Sequence, residues 1–410
     1  MSKTLKIAVV GLGARGVGLL KLVIYNQKDI EVVAVCDTYE DRVKDMQALA
    51  KLKLRKEPRG YVDYKEIIEK EKDLDAVVIA TSWEVHTNIA IDFMNAKIPV
   101  GIEVGGAYDI NECYRILECY EKTKTPYMML ENCCYGELEL STLKMVQEGL
   151  FGDVVHCKGG YKHDLRDEIA FGKTNRHYRL EEYKKRNAEI YPTHSIGPIS
   201  KILNITYGNK FDTLSSFASP SLGLKNYVAT RKDKYPEIAY LENVKFTQGD
   251  IITTVITCAN GETIELELDT TLPRHYSRGW EVRGTKATVT EELKKLYIDT
   301  DAKMRVKTKS LFYMKKKYPH RIWKWYRRKG VRGGHGGMDY LVLNAFFDAV
   351  RKGDGYMPID VYESLTWMVV TALSAASIKE GGKPQEFPDF TKGAWKTRKQ
   401  QGSGFYFLEK

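Results

Sequence analysis

Over the first 130 residues, short apolar runs rich in β-branched residues alternate with stretches of helical spacing, the rhythm of a parallel sheet wrapped by helices. Residues 6–10, 31–36, 76–81, 100–104 and 127–130 read as strands, and residues 17–25, 87–96 and 111–122 as helices between them. The strand runs are almost continuously apolar, as expected where helices cover both faces of a sheet. After about residue 135 the rhythm changes. A helix over 137–148 ends at Gly149 and Gly152, and longer β-type runs follow at 154–161, 214–219, 251–258 and 263–268. These predict a mainly antiparallel sheet. Asn260-Gly261 between the last two runs suits a two-residue hairpin turn, because both positions tolerate positive φ. Two late helices, over 340–351 and 362–378, are expected to pack back on the body, while the Lys-rich tail carries no clear pattern.

The chain therefore reads as α/β: an N-terminal doubly wound parallel sheet over 1–130, then an α+β domain with a mainly antiparallel open sheet over 131–390, and a tail over 391–410. Its 410 residues exclude a single small domain. The first apolar run is too short for an export signal or a bilayer span, which predicts a cytoplasmic protein with no membrane association. Seven cysteines, an odd number without CxxC spacing, argue against a disulfide framework and a zinc ribbon. Eight scattered histidines offer no metal-binding spacing, so no metal is expected.

The net charge of +10 is a local property. Between Lys303 and Arg332 stand thirteen Lys or Arg residues and no Asp or Glu, and the rest of the chain is slightly acidic. Phe312, Tyr313, Tyr318, Trp323, Trp325 and Tyr326 interleave these cations, a composition found on anionic-glycan and nucleic-acid surfaces. A solvated, partly helical insertion or a contact in a homo-oligomer explains it more simply, and nucleic acid is the least favoured partner because no recognised module accompanies the run.

Gly11-Leu12-Gly13-Ala14-Arg15-Gly16 is a G-x-G-x-x-G that follows a strand and opens a helix, the context a dinucleotide site requires. The glycines permit the tight turn and the approach of backbone to pyrophosphate, and the helix N-terminus faces the anion. Asp37, twenty-one residues beyond Gly16, ends the second strand, where it can accept the adenosine ribose hydroxyls. Its charge opposes the extra phosphate of NADP, so NAD is the expected cofactor and the first domain a Rossmann domain. The segment Thr81–His86 and Glu103-Val104 lie at the same carboxyl edge, although either could be a plain strand-to-helix loop.

With these residues in view, the chain resembles the Gfo/Idh/MocA superfamily of sugar and cyclitol oxidoreductases. Where typical members carry Glu-Lys-Pro, with the lysine near the reacting hydroxyl, this chain has Glu103-Val104-Gly105. The strings Leu130-Glu131-Asn132-Cys133-Cys134-Tyr135-Gly136, Gly159-Gly160-Tyr161-Lys162-His163-Asp164-Leu165-Arg166, Tyr191-Pro192-Thr193-His194 and Leu272-Pro273-Arg274-His275-Tyr276-Ser277-Arg278-Gly279 look like glycoside hydrolase family 109, which includes NAD-dependent α-N-acetylgalactosaminidases. The resemblance runs over about 5–290 and 333–388 and leaves out the basic stretch. It implies NAD contacts from Arg15, Gly16, Asp37, Trp83, Glu84, His86, Glu103, Val104 and Asn132, beside Gly11 and Gly13 of the turn. It further implies that Arg179 and Tyr191, Thr193 and His194 line the nicotinamide and sugar pocket, and that Tyr161 and Tyr276 touch a small carbohydrate substrate.

An ordinary glycosidase needs two carboxyl groups flanking the bond. The route the resemblance implies replaces them: hydride leaves C3, the ketone acidifies the C2 proton, elimination expels the C1 substituent, water adds, and the hydride returns. An imidazole, with an ordinary pKa of about 6.5, makes His194 the natural base for the C3 hydroxyl. Tyr161 or Tyr191 could take the C2 proton if a nearby cation, for which Arg179 is the candidate, lowers the phenol. His335, set among four glycines, is either a pocket wall or a flexible lead into the next helix. A plain NAD-dependent sugar or cyclitol dehydrogenase is the second reading, against which the missing lysine counts. A non-catalytic NAD-bound sensor is the third.

Overall fold

The computed structural model describes residues 3–300, 303 and 305–408; position 304 of the basic stretch and the last two residues of the tail lie outside them. Six parallel strands form the first sheet: β1 (Leu5–Val10), β2 (Ile30–Cys36), β3 (Arg59–Tyr61), β4 (Ala76–Ile79), β5 (Val100–Ile102) and β6 (Tyr127–Met129). Their order is β3-β2-β1-β4-β5-β6, so chain direction across the sheet reverses between β1 and β4 and opens a crevice at their carboxyl ends. β3 and the helix Glu40–Leu54 before it are absent from the sequence reading. That helix is mostly solvent-facing, burying Val43, Met46 and Ala50 in a stripe too narrow to register against its charged residues.

The second sheet has nine strands: β7 (Val154–Lys162), β8 (Phe211–Ala218), β9 (Ile251–Cys258), β10 (Thr263–Asp269), β11 (Glu281–Gly284), β12 (Ala287–Thr290), β13 (Lys295–Asp299), β14 (Val306–Ser310) and β15 (Gln385–Glu386). The order is β14-β13-β12-β11-β7-β10-β9-β8-β15, and every neighbouring pair is antiparallel except β7 with β10. The β9–β10 connection corrects the two-residue turn. Gly261 alone takes positive φ, at 98°, and backbone bonds between Cys258 and Glu262 close a longer loop.

The two late helices cross the expected boundary at residue 130. Phe346, on the helix Met338–Lys352, packs so closely on β5 that a Cβ at Gly101 would come within 2.8 Å of its ring. The helix Val361–Lys379 is long and apolar enough to cross a bilayer, yet it is buried between the sheets. Ser364 accepts from the Met129 amide of β6 at 3.3 Å, and Ser377 from the Ser216 amide of β8 at 2.9 Å. The two layers are thereby fastened to one another beside the crevice. The tail also has a defined place, with the carbonyl of Tyr406 accepting from the Tyr135 hydroxyl at 3.1 Å and that of Leu408 from Gln147 at 2.9 Å.

Candidate active site

The Gly11 turn sits where β1 meets the helix Ala14–Leu22. Gly11 has φ of 96°, and a Cβ there would lie 2.5 Å from the Ala80 carbonyl; at Gly16 it would lie 1.9 Å from the oxygen of Gly11. Both glycines are required by the turn itself. Gly13 differs, since a Cβ there would meet nothing nearer than Arg42 at 3.8 Å, which leaves room above the helix N-terminus for an anion. Asp37 braces the same loop, accepting from the amides of Leu12 at 2.7 Å and Tyr39 at 3.0 Å. Arg42 lies 3.6 Å from its carboxylate, and Arg42 and Arg176 each lie over the Tyr39 ring.

Arg15 reaches across the crevice to two acids, Glu103 at 2.8 Å and Asp339 at 2.8 and 3.0 Å. Asp339 also meets His335 at 2.8 Å and accepts from Asn132 at 2.7 Å. Burial would raise the Asp339 carboxyl, but His335 and Arg15 overcome it and hold it well below the usual carboxylate range. His335 therefore belongs to this ion network at the cofactor end, and the Gly333–Gly337 run delivers it there.

Two of the predicted cofactor residues sit elsewhere. Glu84 is exposed on the first turn of the helix Trp83–Asn95, where its charge acts on the Tyr108 phenol. His86 is buried, with Nε2 on the Thr81 carbonyl at 2.8 Å, and burial pushes it down to about 4, so the ring is a neutral brace for the loop. Trp83 is held by a bond from its indole N–H to the Val104 carbonyl at 2.9 Å. Val104 is thus present as backbone support with a buried side chain.

On the other wall, the helix Thr193–Ile202 lies against β7 because Gly159 leaves room for it and the Gly160 amide anchors it. A Cβ at Gly159 would come within 2.6 Å of Ser195, and the Gly160 amide donates to the Ser195 hydroxyl at 2.7 Å. This seats His194 against Glu131, the residue that follows β6 by two positions. His194 Nδ1 lies 2.8 and 3.0 Å from the two carboxylate oxygens, and Glu131 also accepts from the Cys133 amide at 2.9 Å. Burial would raise Glu131, but His194 more than offsets it and the carboxyl ends below its ordinary value. An ionised carboxylate only accepts, so Nδ1 carries the proton and Nε2 is left as the acceptor. Thr193, expected on the substrate, is buried and acts on Glu131 instead.

Tyr161, at the end of β7, stacks on Tyr191 with ring centres 4.1 Å apart, and both rings meet His194 edge-on. Arg179 lies over Tyr191, Trp83 and Tyr161 at 5.1, 5.8 and 6.0 Å, with Glu168 3.0 Å from its Nε. The expected cation is in place, but its expected effect is overturned. Burial outweighs Arg179, and both phenols are pushed up. The Tyr161 hydroxyl instead faces His163 Nδ1 at 3.1 Å, and burial together with Arg179 holds that imidazole low. The resting pair is a phenol donor and a neutral imidazole acceptor. Tyr276 stands at the rim, half exposed, edge-on to Tyr161 and His163, with Arg278 behind it bonded to Glu139 at 2.9 Å.

Glu131, Asp339 and His163 were not singled out by sequence. His163 had a signal, since it stands two residues after Tyr161, one past the end of β7, close enough to keep the alternation that puts it beside that ring. Asp339 had none, lying 324 positions from Arg15. Glu131, Cys133 and His194 also bring three metal-ligand types within 4.8 Å of one another. Burial raises the Cys133 thiol far above its ordinary value, and the carboxylate already holds Nδ1, so hydrogen bonding accounts for the cluster.

Comparison with known proteins agrees with this geometry. The family described as "Oxidoreductase family, NAD-binding Rossmann fold" matches residues 5–130, and "Glycosyl hydrolase 109, C-terminal domain" matches 135–397, so the family match extends across the basic stretch that the sequence reading left outside it. A "Glycosyl hydrolase family 109 protein" of Stenotrophomonas maltophilia is 37% identical over 97% of this chain and 91% of its own length. An "Alpha-N-acetylgalactosaminidase" of Tannerella forsythia is 35% identical over 95% and 87%. Among solved structures, an inositol dehydrogenase homologue complexed with NAD+ from Azotobacter vinelandii shares the fold, with a TM-score of 0.70 at 16% identity over 94% of this chain and 98% of that one. With both walls of the crevice and the full-length relatives in agreement, the chain belongs to glycosyl hydrolase family 109 and is a glycoside hydrolase built on an NAD-binding Rossmann domain.

Proposed function

We propose that the chain hydrolyses N-acetylgalactosaminides or closely related glycosides with NAD held at the Gly11 turn, and that its own side chains act only as proton carriers and clamps. The supporting observation is the pairing of Glu131 with His194 beside the stacked Tyr161 and Tyr191, in the crevice that the Gly11 turn also faces. The residues present fit the cofactor. Gly13 leaves space for a pyrophosphate, and Asn132 Oδ1 is buried without a partner among the described residues, a polar atom awaiting a donor. The names of relatives such as that of Tannerella forsythia support the sugar.

Bound NAD supplies a hydride acceptor for C3 that gives the same hydride back. His194 Nε2 takes the proton of the C3 hydroxyl, and Glu131 stabilises the imidazolium so formed. The C2 proton passes to the Tyr161 oxygen as the Tyr161 proton moves to His163, and the C1–O bond breaks. Water then adds at C1 as hydroxide, its proton going to the departing aglycone oxygen, the C2 proton returns by the same path, and His194 reprotonates the C3 oxygen. Arg179 and the Trp83, Tyr178 and Tyr191 rings keep this part of the crevice dry and polarised. The test is an aryl α-N-acetylgalactosaminide assay that follows aglycone and NADH together. Aglycone without net NADH supports the proposal. NADH accumulating in step with product identifies a dehydrogenase, and neither signal with NAD bound leaves a non-catalytic binder.

A further inference from the structure

Of the thirteen cations between Lys303 and Arg332, those on two successive helices form an outward platform, the helices joined through the Glu137 that both Lys315 and Arg327 reach. The helix Arg321–Lys329 turns Ile322, Trp323 and Tyr326 inward and leaves Lys324, Arg327, Arg328 and Lys329 outside. On the preceding helix, Leu311–Lys317, Met314 is buried while Phe312, Tyr313, Lys316 and Lys317 are exposed, Phe312 at 74%. Lys315 and Arg327 are spent on Glu137. No carboxylate lies within 4.0 Å of Lys316, Lys317, Lys324, Arg328 or Lys329 among the described residues. Like charges at helical spacing repel, so the platform carries an unrelieved field that a polyanion would neutralise.

Its position says which polyanion. Arg332 stands three residues before His335, and Tyr326 stacks on Tyr340, the neighbour of Asp339, at 5.3 Å. On the other side the Glu137 that Arg327 and Lys315 hold begins the helix Glu137–Gln147, whose Glu139 fixes Arg278 behind Tyr276. The platform is therefore attached on one side to the helix that backs Tyr276 at the rim of the sugar site and on the other to the Asp339–His335 network at the cofactor end. A bilayer is disfavoured, because the apolar face of the second helix is already buried in the protein, and the exposed Val306, Phe312, Tyr313 and Val331 are scattered over a strand, a helix and a loop rather than forming one apolar face.

We infer that this surface is a binding site for the acidic part of a glycan, sulfated or carboxylated, whose terminal sugar occupies the crevice. The inference rests on the glycosidase reading, so its test keeps the two apart. The probe is a fluorescent chondroitin sulfate octasaccharide, with a neutral oligosaccharide of equal length, a single-stranded oligonucleotide and phosphatidylserine vesicles as competitors. Variants are Lys316→Glu, Lys317→Glu, Lys324→Glu and Arg328→Glu combined, and the same four positions to Gln.

The wild type should bind the sulfated probe at least about tenfold more tightly than the neutral one, with affinity lost at high salt. The Glu variant should lose that preference and the Gln variant most of it, while aryl-glycoside turnover and melting stay unchanged. Equal binding of the neutral probe, stronger competition by vesicles or oligonucleotide, or an undiminished preference in the folded Gln variant would overturn the inference. If no aryl glycoside is turned over but the variants still lose sulfated-glycan binding, the platform stands and the glycosidase reading fails.

Discussion

Replacing Glu131 with glutamine removes one charge from the wall of the crevice and keeps its shape. The carboxylate lies 2.8 Å from His194 Nδ1. Taking about 4 Å between charge centres and an effective dielectric of about 20, the imidazolium formed in the first proton transfer loses about 4 kcal/mol of stabilisation. That corresponds to roughly a thousandfold in rate. The amide adds a second fault. Its N–H can face Nδ1 only if the ring proton moves to Nε2, which removes the acceptor that the C3 hydroxyl needs. Turnover of an aryl α-N-acetylgalactosaminide should fall about a hundred- to a thousandfold in kcat with little change in KM. Adding His194→Ala to Glu131→Gln should cost little more, since the two act as a unit. A folded, NAD-binding Glu131→Gln protein within threefold of wild type would show that the pair is a core contact and that the base lies elsewhere.

Tyr161→Phe keeps the stack on Tyr191 but removes the hydroxyl facing His163. Aglycone release should fall at least about a hundredfold while enzyme-bound NADH accumulates during turnover, seen by absorbance, because oxidation at C3 no longer leads to loss of the C2 proton. Glu189 is buried, and burial pushes its carboxyl up to about 8 from an ordinary 4.5. The folded state then holds this proton more tightly than the unfolded chain, so stability is intact below about pH 4.5 and erodes as pH rises toward 8. Glu189→Gln should raise the melting temperature at pH 8.5 and leave it unchanged at pH 4, the difference reaching a few kcal/mol in urea titrations; equal effects at both would place the benefit in packing. Asp37→Ser removes the anion that opposes the NADP phosphate and leaves Arg42 beside it. The ratio of NADP to NAD affinity, read by tryptophan quenching, should rise at least about tenfold.

The first sheet was legible because its central strands are buried on both faces and so appear as unbroken apolar runs, as at Val77, Val78 and Ile79. β3 escaped because Arg59–Tyr61 is three residues long and exposed at the edge. At the site, the residues singled out were those carried by a local pattern: the glycines of the turn, Asp37 at a strand end, and the Tyr191–His194 string. Pairings made only by the fold were not singled out. Nothing near His194 points to Glu131, 63 positions away, and nothing near Arg15 points to Asp339. The misreading of Arg179 has a different cause. Its nearness to the phenols could be inferred, but how deeply Arg179, Tyr161 and Tyr191 are buried could not, and burial sets the sign of the shift.

The geometry also accounts for the chain's departure from the Glu-Lys-Pro of the wider superfamily. A lysine at position 104 would replace a buried valine whose carbonyl holds Trp83, and at position 105 even a Cβ would come within 2.7 Å of the Trp83 ring and 3.3 Å of His86. Trp83 occupies the space near this strand end and in turn packs against Tyr178 and Tyr191 beneath Arg179. The close approach of Trp83 to Gly105 and the burial of Val104 leave this strand end tightly filled. In the proposed mechanism, proton transfer at the reacting hydroxyl is assigned to the opposite wall, where Glu131 fixes the ring of His194. A lysine introduced at 104 should therefore disturb Trp83 and the Arg179 stack before it could serve as a base, and should lower activity without creating a dehydrogenase.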